Sequence, residues 1–455
     1  MSYFFNNYIS ALFVFFIVAF IYAESVNSKM TSWEKQPVHR YIISEDDWLN
    51  TSRSIRAGDL KGRIILLNFW TYSDIGSLHG VADLQDIQRE FGNKVAVIGV
   101  HSGKFTNEED IDNVRDAVIK YGIKYPVVND PKSRIWHKFG VSSWPSFLLI
   151  GPDGEVYSHY FGEENNDDIG RDIGELIYMF GEDLVPPKFP IELEIDKNPH
   201  SGYLKYPSKL EYVADFEGEP ALFISDTGHN RIVGVRLNGE VFIEIGSKKS
   251  GLKNGAFETA EFKLPNGVLY NEGVLYIADT NNHIIRAANF EKREVITVAG
   301  KGFRGYDLNV EYSRALGVEM ASPWDFAQYP NENNIVISMA GLHQIWEYDI
   351  EEKKVTAIAG SGKESMKDGE FPNNTLGQPS GLFVDGEKLY FIDAETSSLR
   401  VFSEGNVTTM LGQGLNKFGY YTGRVNRALM QHPLAVYVDG QQAYIADTYN
   451  HAIRQ

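Results

Sequence analysis

The chain has 455 residues and a formal net charge of −18, long enough for two or three domains and too acidic for a broad nucleic-acid footprint. It contains no cysteine, which excludes disulfides, thiolate metal sites and thiol chemistry from this polypeptide. Hydrophobic residues at 43% and charged residues at 23% are globular values, and 27 Phe, 25 Tyr and 42 Gly suit short strands joined by tight turns.

Ile9 to Ala23 runs fifteen residues without a charge and ends at Glu24. That length fits a signal-peptide core better than a full bilayer span, although no Lys or Arg precedes it. Phe4, Phe5 and Tyr8 extend the apolar stretch, so residues 1–23 read as a signal peptide, or residues 4–23 as a membrane anchor. Either implies export to the periplasm or cell envelope, or secretion. Glycosylation sequons stand at Asn50, Asn373 and Asn406.

From about residue 40 to 181 strands and helices alternate. Arg63–Trp70 and Val95–Val100 are apolar runs of strand length, the pattern of strands buried on both faces. Between them Leu78, Val81, Leu84, Ile87 and Phe91 recur at helical spacing. Thr106 and Glu109 form a capping box ahead of a helix carrying Ile111, Val114, Val118 and Tyr121. A strand at Tyr125–Asn129, a helix at Lys132–Phe139 and a strand at Ser146–Ile150 follow. Asp153-Gly154 turns the chain into Val156–Phe161, and a helix covers Asp168–Phe180. The order predicts an α/β domain around a central sheet, followed by a proline-marked linker at 182–204.

These residues resemble the TlpA-like branch of the thioredoxin fold: Leu67-Asn68-Phe69-Trp70 leads into the active-site turn, and Ser143-Trp144-Pro145-Ser146 is similar to its cis-proline loop. More closely, Asp47-Trp48-Leu49-Asn50-Thr51, Gly99-Val100-His101-Ser102 and Pro126-Val127-Val128-Asn129-Asp130 are similar to the NHL-repeat-containing protein 2 family. That family carries Cys-Cys-Ile-Asn-Cys after Trp-Thr-Tyr. Here Ser73-Asp74-Ile75-Gly76-Ser77 follows Trp70-Thr71-Tyr72, so Asp74 and Ser77 occupy the two CxxC positions. Disulfide exchange needs an attacking thiolate and a leaving thiol, and neither is present. Asp74, Ser77 and His79 are the residue types of a hydrolase triad, but Ser77 and His79 are two apart on a helix and point to different sides. Ser73 or Asp74 instead suits the helix N-cap. What the resemblance leaves is a groove beside Trp70, Tyr72, Trp144 and a cis Pro145, able to hold an extended peptide.

From about residue 205 to 455 the chain repeats itself five times. The motif positions Asp226, Asp279, Met339, Asp393 and Asp447 are spaced by 53, 60, 54 and 54 residues. Each later repeat opens with a proline, at Pro265, Pro323, Pro379 and Pro433. A period near fifty with four short strands per unit predicts an all-β propeller, and the repeats resemble NHL repeats. The resemblance implies six blades, whereas the fifth repeat here stops at its third strand, Ile453-Arg454-Gln455. The expected ring is therefore incomplete, the alternating stretch 189–195 being the other source of a missing strand.

His229, His283, His343 and His451 fall three or four residues after the motif position. With Asp226, Asp279, Asp393 and Asp447 they form a repeated set that reads in two ways. One is a metal site of a propeller lyase or lactonase; the other is a polar tie between each turn and its neighbour. Repetition in every blade favours the tie, since a metal needs only three or four converging ligands. The reading is a multidomain, non-catalytic binding or scaffold protein with protein or peptide ligands on the propeller face or in the thioredoxin-like groove. No metal, cofactor or nucleic acid is expected. The alternatives are a thioredoxin-type oxidoreductase or chaperone, and a metal-dependent propeller hydrolase.

Overall fold

A computed structural model describes residues 47–198, 202–330 and 333–455. The apolar segment at 1–23, with its signal-peptide or anchor reading, lies outside the described residues. Among those described, no helix is long and apolar enough to cross a membrane. The chain divides into two compact units, one ending at Lys197 and one comprising mainly Asn198–Gln455.

The first unit is built on a six-stranded mixed sheet. Its strands are β1 (Trp48–Leu49), β2 (Ile64–Trp70), β3 (Val95–His101), β4 (Val127–Asn129), β5 (Ser146–Ile150) and β6 (Val156–Phe161), in the order β1-β4-β3-β2-β5-β6. All seven residues of β2 and of β3 are buried, as expected for central strands covered on both faces. One face of these strands, with Leu67, Phe69, Ile98, Val100, Val128 and Leu148, forms the main apolar core. The Ile75–Phe91 helix buries Leu78, Val81, Leu84 and Ile87, the residues its spacing selects.

Three local expectations are corrected. Thr106–Glu109 is a 3-10 turn, not a capping box; the helix Ile111–Lys120 is capped by Asp110, whose carboxylate accepts from Asp112 N. An acceptor one residue ahead of the helix reaches the free N–H groups that Thr106 cannot. The 189–195 stretch is not a propeller strand. Ile191 bridges to Thr51, Ser52 N donates to Pro190 O at 2.9 Å, Phe189 packs on the first unit's core, and Glu194–Lys197 is a helical turn. Finally, the Asn50 sequon is unusable in the folded protein. Asn50 is buried, its amide donates to Ile123 O and Tyr125 O, and its Oδ1 accepts from Glu194 N. Glu194 in turn accepts from Asn50 N, Arg115 Nε and Lys197 Nζ, which fastens the segment after the last long helix to the first unit.

The second unit contains five small antiparallel sheets in a propeller-like arrangement, one per repeat. Each repeat has a central hairpin whose turn carries the motif, such as Val274–Asp279 paired with Ile284–Asn289. The second, third and fourth blades add a two-residue edge strand beyond the expected four: Gly255–Ala256, Ser313–Arg314 and Gly369–Glu370. Among the described residues the fifth blade has three strands, Ala435–Asp439, Gln442–Asp447 and Ala452–Arg454. Apolar clusters spanning neighbouring sheets supply the cores between blades.

Candidate functional site

In the first unit the motif residues gather at the C-terminal ends of β2 and β3. Parallel pairing sets Trp70 opposite His101. The His101 ring lies edge-on to Trp70 at 4.9 Å and stacks on Tyr72 at 5.3 Å. It is fully buried, and burial lowers its pKa to about 3, against a smaller opposing effect of Asn129. Ser102 N donates to Trp70 O, Trp144 Nε1 donates to Ser102 O at 2.9 Å, and Trp144 packs against Trp136 at 4.5 Å. The Trp144–Pro145 bond is cis, as the resemblance implies. A second cis bond, Phe371–Pro372, lies in the propeller.

The helix after the motif begins at Ile75, directly beyond Ser73 and Asp74. Ser77 Oγ accepts the Thr71 backbone N–H at 3.3 Å, and His79 Nδ1 pairs with Glu163 Oε2 at 2.7 Å. The serine and the histidine thus have separate partners. Thr71 Oγ1 donates to the buried Glu108 carboxylate at 2.6 Å.

In the second unit, Asp226, Asp279, Asp393 and Asp447 are each fully buried. Each carboxylate does two internal jobs. One oxygen accepts a backbone N–H ahead of the blade, from Lys205, Lys263, Gly377 and Gln431 in turn. The other meets an arginine on the next strand: Arg231 at 2.6 Å, Arg286 at 3.0 Å, Arg400 at 2.9 Å and Arg454 at 2.8 Å. All four arginines extend to loop carbonyls, Arg231 to Tyr203 O, Arg286 to Glu261 O and Lys253 O, Arg400 to Thr375 O and Lys367 O, Arg454 to Leu429 O and Tyr421 O. A buried carboxylate is tolerable only when paired and hydrogen-bonded in this way.

Sequence reasoning missed the arginines, although a signal existed. Arg follows the motif Asp by seven residues in three repeats and by five in the first. A shift of two keeps a strand side chain on the same face, so Arg231 reaches the same carboxylate. In the third repeat Met339 replaces Asp and Trp346 stands seven residues on, both fully buried. Both partners of the ion pair are absent there, and Trp346 Nε1 donates to Gln344 Oε1, whose amide donates to Leu308 O and Gly360 O.

The histidines divide differently from the sequence expectation. His229 pairs with its own Asp226 at 2.9 Å. The position equivalent to His283, His343 and His451 is Asn230 in the first repeat and Ser397 in the fourth; all five end the turn in the left-handed region, at φ between 50 and 55°. Four of these side chains accept a backbone N–H from the next blade. Asn230 Oδ1 accepts from Leu264, His283 Nδ1 from Ser322, His343 Nδ1 from Gln378 and Ser397 Oγ from His432, at 2.9 to 3.2 Å. All four donors also have positive φ. Thr227 and Thr280 add bonds from Oγ1 to Pro265 O and Pro323 O, both at 2.7 Å. The repeated set thus divides: the Asp side chains and His229 make bonds within their own blades, while Asn230, His283, His343 and Ser397 join each blade to the next. Among the described residues no group of three or more His, Asp or Glu could hold a metal ion.

The thioredoxin-like family profile matches residues 62–156. Over 94% of its length the chain is 34% identical to NHL repeat-containing protein 2 of Gallus gallus, covering 63% of that protein. It is 37% identical over 90% of its length to Protein SUPPRESSOR OF QUENCHING 1, chloroplastic, of Arabidopsis thaliana, covering 41% of it. The thioredoxin-like part alone, 26% of the chain, is 29% identical to the thiol-disulfide oxidoreductase ResA of Bacillus thuringiensis, over 65% of that protein. The chain thus spans less than two thirds of the length of its two long relatives.

Proposed function

We propose that this chain, a member of the NHL repeat-containing protein 2 family, is an exported, non-catalytic binding or scaffold protein whose thioredoxin-like unit has exchanged redox chemistry for recognition. The observation that carries the reading is the residue pair Asp74 and Ser77 at the positions of the redox cysteines. A carboxylate and a hydroxyl that accepts a backbone N–H supply neither the nucleophile nor the leaving group of disulfide exchange. Of the four residues expected to line a groove there, Tyr72 and Trp144 are half-buried and offer surface to an extended peptide, whereas Trp70 is fully buried and Pro145 buried, so neither is a contact residue. Propeller loops from successive blades offer a second surface for protein or peptide ligands. Export rests on the apolar segment at 9–23.

Dithiothreitol-driven insulin reduction with the purified protein is expected to run at the protein-free rate, while titration with unfolded peptides gives saturable binding weakened by Trp144→Ala. Reduction clearly above the control overturns the reading. Fractionation of cells with and without residues 1–23 tests export separately.

A further inference from the structure

Lys209 directly precedes the first inner strand of the propeller unit, Leu210–Phe216. Its Nζ donates to Asp325 Oδ2 of the third blade at 2.7 Å and to Leu434 O of the fifth at 3.0 Å. The same Asp325 oxygen accepts Leu382 N of the fourth blade at 3.2 Å. One ammonium therefore reaches the first, third and fifth blades, and only the axis where the inner strands converge permits that. The Lys209 and Asp325 side chains are each 12% exposed. Glu211 lies two residues beyond Lys209, on the same strand face, and accepts Tyr270 N of the second blade at 3.3 Å. Burial raises its carboxyl to about 7, with the Tyr270 N–H opposing and the Asp325 charge adding to the rise.

We propose that the propeller axis is an ammonium-binding site, formed by Asp325 and the Leu434 carbonyl, which the chain fills with its own Lys209. An ammonium has three donors and no acceptor, which matches a few converging oxygens; a calcium ion needs six to eight. Asp325 faces this cation with little water around either side chain, so removing Lys209 leaves an uncompensated, largely buried carboxylate. A ligand entering the axis must displace Lys209, and it therefore carries a primary ammonium of its own, as a lysine side chain or a peptide N-terminus does. The proposal stands apart from the role of the thioredoxin-like unit.

The test uses the full chain. Lys209→Ala is expected to lower the propeller melting temperature by roughly 5–10 °C. Methylammonium chloride should restore at least half of that loss, whereas sodium or tetramethylammonium chloride at equal ionic strength should not. The double variant Lys209→Ala, Asp325→Asn should not respond to methylammonium. Equal melting of K209A and the parent protein, or equal rescue by sodium, overturns the site. Should K209A fail to accumulate, 15N-lysine spectra decide. An ammonium signal protected from water exchange that disappears in K209R and in D325N is expected, separate from that of the equally buried Lys104; no protected signal sensitive to both substitutions overturns the proposal.

Discussion

His101 is held far from its behaviour in water. Sealed between Trp70 and Tyr72 at the end of a central strand, it is neutral at physiological pH because burial lowers its pKa to about 3. The unfolded chain binds its proton near pH 6.5, whereas the folded chain does not until far below. Folding stability therefore falls as pH drops from 6.5 towards 3, by up to about 1.4 kcal/mol per pH unit for this one group. Denaturant unfolding at pH 7 and pH 5 should show that loss in the parent protein and a smaller one in His101→Gln. Equal losses in both would refute the assignment. At the same scale, Glu194 holds three donors. Glu194→Ala should make the chain around residues 186–197 sensitive to limited proteolysis while the second unit stays intact, as read by mass spectrometry of the fragments.

Among the elements, the blade hairpin is where charge is handled. Removing one partner of a buried ion pair strands the other, so Asp279→Asn or Arg286→Met alone should cost about 3–5 kcal/mol of propeller stability. The third blade already shows the apolar solution, Met339 with Trp346 at the same two positions. Transplanting it, as Asp279→Met with Arg286→Trp, should recover more than half of either single loss. A double-mutant cycle in denaturant measures the coupling. Additive losses would mean that the two residues act independently. The blade periodicity was legible because the Asp motif returns four times. The arginine partners were not, because one is displaced by two residues and one replaced by tryptophan, so alignment on the aspartates alone hides them. Capping at Asp110 was missed for a related reason: Thr106 and Glu109 satisfy the spacing of a capping box, and only the 3-10 turn there shows that the helix starts later.

Over the whole molecule, the absence of cysteine leaves no thiol–disulfide step in folding. Melting curves with and without dithiothreitol should superimpose near the thioredoxin-like transition, and a shift there on adding reductant would contradict a thiol-free unit. Both units were legible as fold classes, through buried-strand runs in one and a period near fifty in the other. Lys209 was not, because its partners lie 116 and 225 residues away and a single lysine makes no pattern.

The joints between blades give the propeller a direction in time. In each of the four joints the acceptor belongs to the earlier blade and the donor N–H to the later one. The left-handed turn that carries the acceptor closes within a single hairpin, with no help from later blades. Each blade thus carries its docking acceptor on its own hairpin, and its successor brings one N–H to it, with carbonyls for Thr227 and Thr280 at the first two joints. Adding contacts between neighbours in chain order keeps loop-closure costs small. Assembly in chain order, from the N-terminal blade, is the expected course, each joint closing on a side chain that its own hairpin already holds.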